Sequence, residues 1–229
     1  MCCLDDTNTI EMAAKSKANK WSDQDFRDAF IAQYLETGEA PKNVFLFAKT
    51  AGVEETEFYE HFGSLENLEK SIWSSWIQKT IDSISKDSSY AEFTVREKLL
   101  AFYYKHFEQL KRYRSYILTK KHEIKNPLSP LTSAYRKAFT PFVSDLIQEG
   151  IGSGEVADRK FISDKYSHGF LVQLGFVLHF WIGDDSKDFE KTDAAIEKAV
   201  NLSFDFISKG AVDSLFDFAK FLVQNKVYQ

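Results

Sequence analysis

Residues 48–64, Ala-Lys-Thr-Ala-Gly-Val-Glu-Glu-Thr-Glu-Phe-Tyr-Glu-His-Phe-Gly-Ser, restrict the fold more than any other part of the chain. They read as a short helix, a tight turn at Gly52 and a second short helix ending at Gly63. Ala48 and Ala51 are small enough for two helices to cross closely, and Gly52 supplies the positive φ that such a turn requires. Val53, Phe58 and Phe62 give the pair an apolar side.

The helices around this pair follow from hydrophobic spacing. Ser22 with Asp25 has the form of a capping box, and Phe26, Ala29, Phe30, Gln33 and Tyr34 share one helical face before Gly38. Pro41 suits the first turn of a helix over 42–50, with Val44, Phe45, Phe47 and Ala48 expected to pack inward. Ser64 opens a rod to about residue 85, carrying Leu65, Leu68, Ile72, Trp76, Ile77, Ile81 and Ile84 as one stripe. Six more helices are expected at 94–111, 113–124, 130–149, 159–181, 189–209 and 212–224. The glycines at 150, 152 and 154 lack the strand context of a nucleotide loop and read as a helix end and turn. Only four Pro and ten Gly in 229 residues agree with long helices.

Adjacent Cys2 and Cys3 in a polar N-terminal stretch give no disulfide framework, so a cytoplasmic location is expected. The most apolar run, 170–182, is too short to span a bilayer. His61, His106, His122, His168 and His179 show no metal spacing, and no catalytic constellation stands out. Neither a cofactor nor a metal is expected, and the chain reads as a binding protein and not an enzyme.

Ala51-Gly52-Val53, then Phe58-Tyr59, then His61-Phe62-Gly63-Ser64, resembles in order and spacing the helix-turn-helix of the TetR family of bacterial regulators. The resemblance is dense over 26–73 and architectural beyond. It implies an all-α, TetR-like fold with a flexible arm at 1–20, a helix-turn-helix domain at 21–66 and a ligand-binding and dimerisation bundle at 67–229. It also implies operator contacts from Lys42, Glu55, Thr56, Tyr59 and His61. Lys42 and the Tyr59 hydroxyl suit phosphates, and Glu55 suits a cytosine amino group.

The charge of the head runs against that use. From 51 to 69 there are six Glu and no Lys or Arg, Leu65 stands where the family has a cation, and the chain as a whole carries −5. Cations supply most of the affinity for DNA. The same fold therefore admits a second reading, a hydrophobic-ligand or lipid-binding protein whose acidic head no longer meets DNA. Cations concentrate instead at 96–125, where nine basic residues face three acidic ones, either as a solvated face or to receive an anionic group.

In the bundle, Trp76, Phe102, Tyr103, His106, Phe139, Phe170 and Phe176 are candidates to line a pocket for a small hydrophobic or amphipathic effector. The almost wholly apolar 170–182 segment and the 189–209 helix match the family's dimerising pair in place and character. The resemblance thus implies a homodimer through Phe170, Leu174, Gly175, Leu178, Trp181, Ala195, Ala199, Leu202 and Phe206.

Overall fold

A computed structural model describes residues 20–159 and 163–208, and among them there are helices and no strand. The expected helix at 212–224, most of the N-terminal arm and the Cys2-Cys3 pair lie outside the described residues. Ten α-helices follow in order: α1 Asp23–Thr37, α2 Val44–Ala51, α3 Glu55–His61, α4 Leu65–Ile84, α5 Val95–Leu110, α6 Arg114–Thr119, α7 Lys121–Lys125, α8 Pro130–Ser153, α9 Ser163–Gly183 and α10 Glu190–Ile207. Packing divides the chain into two compact units. Of the described residues, one unit holds those up to Ser75 with Tyr113–Tyr135; the other holds Trp76–Arg112 and those from Arg136 onward.

The first unit contains the three-helix head. Ser22 and Asp25 close the capping box of α1, and Gly38 ends that helix at φ 79°. Gly52 ends α2 at φ 76°, its N–H donating to the Ala48 and Lys49 carbonyls. Asn43, not the first turn after Pro41, starts α2: its side chain accepts from the Leu46 N–H at 2.8 Å. An N-cap amide here satisfies a donor that proline would leave unmet. Phe26, Phe47 and Phe58 form the head's core, with ring pairs 5.7–6.4 Å apart. Phe45, expected to face inward, is 57% exposed, because the turn of α2 that buries Phe47 and Ala48 carries it outward.

The head does not stand alone. The Arg27 guanidinium donates to Ser71 of α4 at 3.0 Å, and Tyr34 of α1 meets Tyr116 of α6 edge-on at 5.4 Å. The single helix expected over 113–124 is broken. A 3-10 turn, Lys111–Tyr113, leads into α6, and the chain departs from helical geometry at Lys120 (φ −91°, ψ 8°) before α7. The break brings the Lys120 ammonium to Glu69 at 2.7 Å and over the Tyr34 ring at 4.2 Å. The Tyr116 hydroxyl donates to the same carboxylate at 2.7 Å. Burial alone would lower the Lys120 pKa; the hydrogen bond and charge of Glu69 outweigh it and raise the value. Lys120 and Lys98, two of the nine cations of the basic stretch, are buried and not part of a solvated face.

The second unit is built on α5, α9 and α10. Thr94 and Glu97 form the capping box of α5. Gln173 of α9 bolts the three helices together: its side-chain carbonyl accepts from the Tyr103 hydroxyl at 3.0 Å, and its amide donates to the Ala199 carbonyl at 2.6 Å and to Ser203 at 2.7 Å. The glycine cluster holds the expected helix end and turn, but the end falls four residues later than residue 149. Helix α8 runs through Gly150 and Gly152 to Ser153, and only Gly154 (φ 83°) turns the chain. A Cβ on Gly150 would lie 2.5 Å from Val156 Cγ2, so this glycine is a packing contact.

Candidate functional sites in the head, the aromatic core and the α9–α10 face

On the head, Lys42, Thr56 and Tyr59 are exposed, while Glu55 and His61 are half-buried. Several of the head's charges are turned on one another. Lys20 pairs with Glu60 at 2.7 Å, and this hydrogen bond and charge hold the Glu60 carboxyl below its usual range. Glu57 accepts from the Trp21 backbone N–H at 2.9 Å. His61 Nδ1 lies 2.6 Å from Asp23 and its ring rests on Phe26 at 5.1 Å, which joins the end of α3 to the start of α1. The Tyr59 hydroxyl reaches Glu55 at 3.4 Å. Between residues 20 and 64 there are nine carboxylates against four Lys and Arg, so these internal pairs leave the head net acidic.

Of the seven residues expected to line a pocket, six are buried: Trp76, Phe102, Tyr103, His106, Phe139 and Phe170. Phe102 is the hub of a packed ring cluster, stacked on His106 at 5.2 Å and against Phe142 and Phe139 at 4.8 and 5.1 Å. His106 Nδ1 lies 2.8 Å from the Thr80 hydroxyl, which in turn donates to the Trp76 carbonyl at 2.9 Å. With that hydroxyl proton committed, the imidazole is the donor, the Nδ1–H tautomer. Burial pushes its pKa down to about 3, so the ring is neutral. Phe170 lies apart from this cluster, against Phe204 at 6.0 Å. Phe176 is exposed.

The expected dimer residues divide by helix face. Phe170, Leu174, Leu178 and Trp181 turn inward and pack within their own unit. Gly175 is exposed, and Ala195 and Ala199 are half-buried. The outward stripe of α9 consists of Val172 and Phe176, 74% and 55% exposed, with Phe180; on α10 it is Leu202 and Phe206, at 58% and 59%. Val172 and Phe180 escaped the sequence reading, although the i, i+4 spacing 172-176-180 was present in it.

Sequence reasoning also missed a groove of about 470 Å³ in the second unit, walled by Ile84, Ala101, Tyr104, Phe107, Trp181 and Phe189 and edged by Lys105, Glu108, Lys111, Thr192 and Asp193. No run of residues marks it, because its lining comes from separate helices and the Asp184–Phe189 connection.

The C-terminal domain model described as tetracyclin repressor-like matches residues 98–222, more than half of the chain. The protein belongs to the TetR-like family. Solved structures of TetR proteins share its fold. The fatty acid degradation regulator FadR from Bacillus halodurans superposes with a TM-score of 0.58 at 21% identity, over 82% of this chain and 97% of that one. A candidate TetR-family regulator from Shewanella sp. PV-4 gives 0.57 at 16% identity, covering 82% and 98%. Another from Syntrophomonas wolfei gives 0.60 at 17%, covering 79% and 94%. A sequence comparison with curated proteins finds no match. Among the described residues no helix is long and apolar enough to cross a membrane, and no cluster of three or more His, Cys, Asp or Glu is placed to hold a metal.

Proposed function

We propose that this TetR-like protein is a ligand-responsive transcriptional regulator that binds operator DNA as a homodimer. The observation that carries the reading is the head itself: α2 and α3 pivot at Gly52 and leave Lys42, Thr56 and Tyr59 exposed beside them. Phosphate contacts from Lys42 and Tyr59 would position the head. Glu55, which accepts and cannot donate, would read a cytosine amino group. His61, tied to Asp23, would act by fixing the angle between α1 and α3. The functional division falls between residues 66 and 67. The outward stripe of α9 and α10 supports the dimer, since exposed apolar faces of this kind mark interaction surfaces.

The effector is a small hydrophobic or amphipathic molecule acting on the body. The likeness to a fatty acid degradation regulator makes acyl compounds a first class to screen. A cytoplasmic, non-enzymatic role accords with this reading.

The test is an electrophoretic shift of the protein's own upstream DNA at low and moderate salt. A sequence-dependent shift whose affinity falls with salt is the expected result. The nine carboxylates of the head favour the second reading, a ligand-binding protein without DNA contact, and absence of any shift at low salt decides for it.

A further inference from the structure

The groove beside α10 has an unusual wall. Asp188 and Phe189 both adopt left-handed backbone, at φ 54° and 63°, and neither is glycine. A bulky side chain at positive φ is an outlier that persists only where its surroundings over-determine it. Asp184 does so here. Its buried carboxylate accepts from the Ser186 N–H and hydroxyl at 2.9 and 2.6 Å. It also accepts from the Thr192 N–H and hydroxyl at 2.9 and 2.6 Å. The strained turn sets the Phe189 ring against Trp181 at 5.8 Å, and Trp181 in turn against Phe107 at 5.8 Å. With Tyr104 opposite, four aromatic residues surround a space of about 470 Å³, within the range of small-molecule sites.

The charges around that space identify what it accepts. Lys105 is already paired with Glu108 at 3.0 Å. Lys111 holds its ammonium over the Phe189 ring at 5.5 Å, with the Asp188 carboxylate at 3.7 Å, beyond hydrogen-bond distance. Asp193 edges the same groove, and partial burial raises its pKa while Lys111 opposes the shift. A cation over an aromatic face beside carboxylates is the arrangement by which proteins recognise organic cations. Lys111 stands in the groove as an internal example of it, loosely held.

We propose that the groove between α5 and the start of α10 binds an organic cation with a flat apolar body, which takes the place of the Lys111 ammonium over Phe189. The inference names an effector class for the regulator reading, but binding in the groove does not depend on DNA. Rhodamine 6G and fluorescein share a xanthene body and carry opposite charge, and fluorescence anisotropy of each with the full chain separates the cases. The cation should bind saturably and at least tenfold tighter than the anion. Lys111→Ala removes the internal competitor and should tighten rhodamine binding several-fold. Asp193→Asn, on the rim, and Phe189→Gly, which relieves the left-handed strain, should each weaken it about tenfold with the circular dichroism spectrum unchanged. Stronger fluorescein binding, weakened rhodamine binding in Lys111→Ala, no saturable rhodamine binding, or indifference to all three substitutions overturns the proposal. An operator shift measured alongside keeps the two readings apart: rhodamine binding without a shift retains the groove and removes the regulator.

Discussion

His106 shows how much a single side chain can set by being buried without charge. Its ring is sandwiched in the Phe102 cluster and donates to Thr80, and its pKa is pushed down to about 3 from an ordinary 6.5. The unfolded chain takes up this proton near pH 6.5 and the folded chain only near pH 3. Acidification through that interval therefore favours the unfolded state, by up to about 1.4 kcal/mol per pH unit. Thermal unfolding followed between pH 7 and 5 should show a fall in Tm that His106→Gln reduces. Sequence spacing placed this histidine among the pocket candidates because an aromatic-rich helix looks the same whether it lines a space or fills one. Only the neighbours contributed by other helices, Thr80 beside His106 and Phe142 beside Phe102 above all, decide between the two.

At the level of helices, the sequence carried the periodic parts and lost the interruptions. Helix α1, with its capping box and terminal glycine, was fully legible, because local chemistry determines both ends. The break at Lys120 was not, since it serves a carboxylate 51 residues earlier in the chain. Gly150 was misread for a related reason. A glycine inside α8 looks like a stop signal until Val156 is seen to occupy the space of its missing Cβ. Gly150→Ala would ordinarily favour a helix by about 1 kcal/mol. Here it should destabilise by about 1–3 kcal/mol through overpacking, and Gly150→Ala with Val156→Ala should recover part of the loss relative to Val156→Ala alone. Urea unfolding midpoints of the variants provide the check.

For the molecule as a whole, the exposed stripe is the feature with the largest consequence for assembly. Val172, Phe176, Leu202 and Phe206 are each more than half exposed, an arrangement that a freestanding helical surface seldom keeps. Sedimentation should report a dimer for the wild type. Phe176→Glu with Leu202→Glu should give a monomer, since like charges would be buried in the contact. The far-UV spectrum should stay unchanged, because both side chains point away from their own core. Of these exposed positions the sequence reading names Leu202 and Phe206 for a dimer contact and Phe176 for the pocket, and passes over Val172. In the 170–182 run nearly every position is apolar, so periodicity cannot separate inward from outward there.

The hydrogen bond from the Trp21 amide to Glu57 and the Lys20–Glu60 ion pair have an implication for anyone wishing to strengthen the head's grip on nucleic acid. Reversing charge on α3 is not a surface adjustment. A lysine at 57 would strip the Trp21 amide of its acceptor, and one at 60 would confront Lys20 with a like charge. The acidity of this helix is part of how the segment just ahead of α1 is moored, so retuning it calls for joint redesign of residues 20–22.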